Sequence, residues 1–399
     1  MRVLFFISLL GHGRGGHVHS LSHISSEIAK IHDVAIISIG SGDNSTISKS
    51  PNYIAHFNFN GINILGLKLK INSFLKEYNP DILHFFDARS YSVVSPLYNQ
   101  EKFKTVVTKC GGPNPKQPRN YPFINPLFPL INNLIVFSME NKTWFENSPL
   151  YKNSNIALIP NRVAKIHYTP LDITKPKDSF CFVKIARIGP TYKDSILDAI
   201  NLIDTLYKDN DKLKLKLFII GTVEDHKVLE DISSNKYVSD GTVKILTQDK
   251  YTKEASKLLY LADAAIATGR GVMEAASMKK PVLTINSKSR VPALLSKNTF
   301  KEAFKTNFSE RNTFPSLDES ENLLNIHRLI TDDIFYKEIS EYMGLVFDQY
   351  FDIKKAKYEY DEFYKSIPNN AVPKLYTIYT LLALHSFFKK SFNQSQHNQ

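Results

Sequence analysis

Two cysteines, Cys110 and Cys181, are all that the 399 residues carry, which excludes a disulfide framework. No Cys/His cluster has zinc spacing, and a reducing cytoplasm is the compartment this implies. No apolar run reaches the roughly twenty residues of a bilayer-spanning helix. Nor is there a nucleic-acid-binding signature or an aromatic/basic motif of the RNA-recognition type, so the basic charge predicts no nucleic-acid partner. A cleavage motif is missing as well. Met1-Arg2 and VLFFISLL look like a short signal peptide, yet they run into Gly11-His12-Gly13-Arg14-Gly15-Gly16. That stretch reads as a buried first strand feeding a glycine loop.

What is present is a globular composition, with 43% hydrophobic and 22% charged residues. The length exceeds what one core usually fills, so two domains are expected. A net charge of +11 favours phosphate-rich ligands or anionic lipid.

Apolar runs at Val3–Ser8, Val34–Ile39, Ile54–Phe59, Ile82–Phe86, Thr105–Thr108, Leu134–Phe137 and Ile156–Ile159 predict strands. Helical stretches fall between several of them, including His17–Lys30 and Ile64–Tyr78. Such apolar strands suit a parallel sheet buried on both faces. The polar stretch Ala164–Asp178, with Pro170 and Pro176, reads as a linker. The pattern then restarts with a strand at Phe180–Ala186, a helix at Ser195–Tyr207 and a strand at Leu215–Ile220. After about residue 290 the signals are mostly helical. The predicted domains are 1–165 and 179–345, followed by a helical segment, 346–399.

The most informative stretch is Ala262–Leu283, ADAAIATGRGVMEAASMKKPVL. It reads as a strand at Ala264–Ala267, a tight Gly269-Arg270-Gly271 turn, a helix opening near Val272, and a strand at Pro281–Ile285. A glycine turn entering a helix offers open backbone N–H groups and the positive end of a dipole, which suits a phosphate. Glu274, placed in the first helical turn, is positioned to accept hydrogen bonds from sugar hydroxyls beside that phosphate. The plainer alternative is a carboxylate that only complements the dipole.

Two α/β halves with glycine-bearing turns after strands predict a ligand site in the crevice between domains. Several marks together carry a family resemblance: Gly15-Gly16 before His17–Lys30; Pro80-Asp81-Ile82-Leu83-His84; Ile159-Pro160-Asn161-Arg162-Val163; Ala186-Arg187-Ile188 with Lys193; Phe218-Ile219-Ile220-Gly221; and Glu274-Ala275-Ala276 with Lys280-Pro281-Val282. In order and spacing they make residues 1–290 resemble the GT-B glycosyltransferases, most of all the large retaining family 4. The resemblance implies an α/β fold of two Rossmann-like domains facing across a cleft, with C-terminal helices returning towards the N-domain.

The resemblance also implies roles. Arg187 and Lys193 stand where the family sets two cations against the donor diphosphate, which gathers negative charge as the sugar–phosphate bond breaks. Gly269, Arg270 and Gly271 would lie near the phosphates, and Glu274 would hold the ribose. Gly15 and Gly16 would let the backbone approach the ligand closely. His84, Asp87 and Cys110 are acceptor-side candidates at strand ends; ordinary strand-end roles stand beside that reading. Two departures matter. Where the family often has a glutamate contacting the transferred sugar, this chain has Ile266, and Cys110 replaces a histidine near the reacting sugar.

The implied activity is retaining transfer of a hexose from a nucleotide diphosphate sugar to a hydroxyl. Family analogy adds a lipid-linked saccharide acceptor in bacterial surface polysaccharide synthesis. Neither a metal nor another cofactor is expected. A sugar-nucleotide 2-epimerase and a non-catalytic nucleotide-sugar-binding module are the alternatives. The loop Gly11–Gly16 with Asp43 also nearly fits a dinucleotide fingerprint, but a dehydrogenase leaves the second α/β half unexplained. His12, His17, His19 and His23 crowd the first loop and helix without an acidic partner at metal-binding spacing. Asp209-Asn210-Asp211 reads as a solvated turn. The apolar tail Leu375–Phe388, flanked by Lys374 and Lys389-Lys390, is too short to span a bilayer. It suits an interfacial helix on an anionic membrane, or a terminal helix docked on the N-domain. The location expected is cytoplasmic, including the inner face of the cytoplasmic membrane.

Overall fold

The computed structural model describes residues 1–9, 16–59, 63–115 and 128–368. The described residues form two compact units, one of those in Met1–Asn161 together with those from Ile353 onward, the other Arg162–Asp352. The first unit carries β1 Arg2–Leu9, α1 Gly16–Ile28, β2 Asp33–Gly40, β3 Tyr53–Phe57, α2 Ile64–Tyr78, β4 Ile82–Phe85, α3 Ala88–Val94, β5 Lys104–Lys109, β6 Asn133–Val136, α4 Met139–Glu146 and β7 Asn155–Leu158. Its seven strands run parallel in the order β3-β2-β1-β4-β5-β6-β7.

Alternation along β1 shows why this sheet is buried twice over. Val3, Phe5, Ile7 and Leu9 enter one core layer, while Leu4 and Phe6 enter the other. Leu67, Ile71 and Leu75 give α2 its inner face on the second layer.

The second unit holds β8 Phe180–Ile185, α5 Pro190–Asp209, β9 Leu215–Ile220, α6 His226–Ser233, α7 Lys236–Ser239, β10 Val243–Leu246, α8 Asp249–Thr252, β11 Ala264–Ile266, α9 Arg270–Ser277, β12 Val282–Asn286, β13 Ser289–Leu294, α10 Phe300–Lys305, α11 Glu319–Thr331 and α12 Asp333–Val346. Its order is β10-β9-β8-β11-β12-β13, parallel except for the β12–β13 pair. Both sheets thus reverse strand order beside their first strand, the doubly wound arrangement of a Rossmann fold.

α13 Ala356–Ser366 returns to the first unit, where Tyr360, Phe363 and Tyr364 join the β1 core layer. The stretch read as a linker packs on the second unit instead. Ile173 is buried, and the Ile173 carbonyl accepts a 2.6 Å hydrogen bond from the Tyr260 hydroxyl. Phe347–Phe351 also belongs to the second core, so the chain crosses back at Ile353 rather than at 346. Among the described residues no helix is long and apolar enough to cross a membrane. The tail Leu375–Phe388 lies outside them.

Candidate active site

In doubly wound sheets ligands gather at the carboxyl ends of the strands where the order reverses. In the second unit that point lies between β8 and β11. The segment leaving β8 carries Arg187 and Lys193, and the one leaving β11 is the Gly269-Arg270-Gly271 turn into α9. Topology thus brings together the two predicted halves of a donor site.

Arg187 Nη1 lies 2.6 Å from Glu224 Oε1, and its Nη2 donates to the Tyr192 hydroxyl at 2.9 Å. Its guanidinium carbon is 5.0 Å from the Tyr192 ring centroid. Burial opposes its charge, but Tyr192 and Glu224 outweigh that and raise its pKa. Lys193, in the first turn of α5, lies 2.5 Å from Asp231 and is raised by that hydrogen bond. Glu224 and Asp231 come from the neighbouring βα unit, and Tyr192 from five residues along. Sequence reasoning missed all three; for Glu224 and Asp231 a partner on another element leaves no local spacing to read.

Gly269 has φ +50°, a conformation that an L side chain resists, so glycine is required there. The turn corrects one expectation. Three N–H groups in and just after it are engaged within the protein: Gly269 donates to Phe308 O at 2.8 Å, Gly271 to Thr268 O at 3.0 Å, and Val272 to Gly269 O at 3.2 Å. Glu274 is also misplaced by the sequence, since α9 opens at Arg270 and sets it in the second turn. Its carboxylate accepts from Arg270 Nε at 2.8 Å. Both side chains are only 16–17% exposed. Burial pushes the Glu274 pKa up, with Arg270 pulling against it. A dipole role does not suit a second-turn residue, because that effect fades within the first turn. Ile266 is buried in β11 and only packs.

The first unit redraws the acceptor-side candidates. His84 is fully buried. Its Nδ1 lies 2.7 Å from the Tyr364 hydroxyl and its Nε2 2.7 Å from Thr108 Oγ1. Desolvation lowers its pKa to about 3, so this neutral ring joins β4 to α13 and β5 and meets no substrate. Asp87 caps α3, accepting from Ser90 N at 2.7 Å, Ser8 N at 2.7 Å and Ser8 Oγ at 2.8 Å. The Cys110 thiol donates to Phe86 O at 3.1 Å and is pushed well up by burial. Polar residues at a strand end were the signal for His84 and Asp87, and the place of a family histidine was the signal for Cys110. His84 is enclosed by its bonds, while Asp87 and Cys110 are half-buried and each satisfies a neighbouring group as well. Gly16 opens α1, and Gly15 lies outside the described residues.

His84 gives a pH test. A histidine kept neutral in the fold, but with an ordinary pKa near 6.5 when unfolded, stabilises fully above that value. The contribution falls as pH drops below it, by at most about 1.4 kcal/mol per pH unit, and is exhausted near the folded pKa. The melting temperature of the His84→Gln variant should therefore fall less between pH 7 and pH 4.5 than that of the parent. Parallel pH profiles would reject this assignment.

No protein-family model matches the chain, and no curated protein matches it in sequence. Solved structures do match its fold. A glycosyltransferase from Rickettsia africae aligns at 17% identity and TM-score 0.65, covering 93% of this chain and 99% of that one. Sucrose-phosphate synthase from Thermosynechococcus elongatus aligns at 14% identity and TM-score 0.64, covering 92% and 98%. HepE of Anabaena, crystallised with UDP, aligns at 15% identity and TM-score 0.63, covering 92% and 100%. At such identities the likeness establishes the fold, which is GT-B: two Rossmann-like domains in one chain.

Proposed function

We propose that this protein is a glycosyltransferase that takes a hexose from a nucleotide diphosphate sugar to an acceptor hydroxyl with retention of configuration. The observation that carries the reading is the pairing of Arg187 and Lys193 after β8 with the Gly269 turn and Glu274 after β11. That pairing occurs at the switch point of a fold shared with sugar transferases. Cleaving the sugar–phosphate bond leaves charge on the departing diphosphate. Two cations beside it stabilise that charge as it develops. Retention then follows from front-face attack, in which the leaving phosphate takes the proton of the incoming hydroxyl. No metal is required on this scheme.

UDP is the first nucleotide to test, because HepE and the pneumococcal transferase GtfA were both crystallised with it. The acceptor proposed is a lipid-linked saccharide of a bacterial surface polysaccharide, met at the cytoplasmic face of the membrane. Incubation with a panel of nucleotide sugars tests the activity. Transfer or slow hydrolysis supports it, whereas epimerisation or binding alone replaces it.

Glu274 has its own test. If its carboxylate holds the donor ribose, Glu274→Gln raises the Kd for free UDP about tenfold, the loss of one charge-assisted hydrogen bond. The melting temperature should stay close to the parent value, since the amide can still accept from Arg270. A large fall in melting temperature with UDP affinity intact would assign Glu274 to the fold.

A further inference from the structure

The outer face of α2 is unusual for a solvated helix. Leu65 and Leu69 are each 74% exposed, although the helix already buries Leu67, Ile71 and Leu75 on its inner side. At 3.6 residues per turn, Leu65, Leu69 and Lys76 fall within about 40° of one another, on a line about 140° round the helix from that inner stripe. Lys68 and Lys70 fall on the two flanks of the line. All three lysines are exposed, and their ammonium groups make no ion pair among the described residues. An apolar crest between cationic flanks lets leucines enter hydrocarbon while lysine stems reach the headgroups.

We propose that this face of α2 is a docking surface for an anionic lipid bilayer. Charge decides among the occupants. A second copy of the chain would set like-charged α2 faces together, in a protein whose net charge is +11. The apolar tail Leu375–Phe388 is flanked by Lys374, Lys389 and Lys390, so it too would bring cations against cations. An anionic bilayer meets both demands, negative headgroups for the lysines and hydrocarbon for the leucines. The inference rests on α2 alone and stands apart from the reading of the β8–β11 site.

The test is co-sedimentation of the full chain with phosphatidylcholine vesicles, with and without phosphatidylglycerol. Binding should require the anionic lipid and weaken with salt. Leu65→Ser with Leu69→Ser should reduce partitioning about tenfold or more. Lys68→Gln, Lys70→Gln and Lys76→Gln together should reduce it about fivefold per lysine. All five positions are exposed, so circular dichroism should match the parent. Unchanged partitioning in both variants, or equal binding to neutral vesicles, overturns the proposal. So does self-association in sedimentation equilibrium that the leucine variant abolishes, since the face would then join two copies.

Discussion

Alanine at both Arg187 and Lys193 is expected to lower kcat/KM for glycosyl transfer by at least a hundredfold, and each single change by roughly ten- to a hundredfold. For Arg187 the basis is a hydrogen bond to a charged group, which contributes about 1.5–3 kcal/mol. Both cations are already paired, Arg187 with Glu224 and Lys193 with Asp231, and these pairs set the cost of releasing them. That cost is small. The Arg187 side chain is 56% exposed and Asp231 58%, and exposed ion pairs contribute little. A diphosphate outbids the carboxylates because it offers more oxygens and, in the transition state, more charge. The loss should therefore fall mainly on kcat. Steady-state kinetics on folded variants decide the matter, and unchanged constants in the double variant would remove the site from the β8–β11 switch point.

Much of this fold was legible in the sequence, and the site less so. All seven strands of the first sheet were predicted within a residue or two, because each has a core of consecutive apolar residues, most continuous in the central strands buried on both faces. β10 and β13 were not. Both are edge strands, and Lys244 in one and Pro292 in the other hide the pattern; an edge tolerates each. The positions of Arg187, Lys193, Gly269 and Glu274 were readable from motif order alone. What they touch was not. The Arg187–Glu224 pair spans 37 residues and the Gly269–Phe308 bond 39, and nothing local announces either. His84 and Asp87 show the converse. A polar residue at a strand end has the same letter whether it faces a ligand or satisfies a neighbour. For His84, which is fully enclosed, burial is what separated the two.

The fold and the site meet at Gly221, and Gly221→Ala should damage both. β9 ends beside β8, where Ala186 N donates to Ile220 O at 3.0 Å and Gly221 N to Leu246 O at 3.2 Å. A Cβ on Gly221 would lie 1.7 Å from the Ala186 carbonyl oxygen, 2.7 Å from its carbon and 3.4 Å from Arg187 Cα. The obstacle is backbone, so no rotamer relieves it. The β8 end must move, and Arg187 moves with it. Overpacking of this kind costs about 3 kcal/mol or more. In a unit of this size that lowers the melting temperature by about 6–12 °C. Transfer by the variant assayed below its melting temperature should fall towards that of Arg187→Ala, because the guanidinium is displaced rather than removed. Gly16→Ala is the control. Nothing lies within 4 Å of its Cβ position, and it stands in a helix, where alanine is the better residue. Its melting temperature should not fall. If Gly221→Ala melts with the parent and keeps full activity, the two strand ends stand further apart than this geometry requires, and Arg187 is not held by the β8–β9 pair.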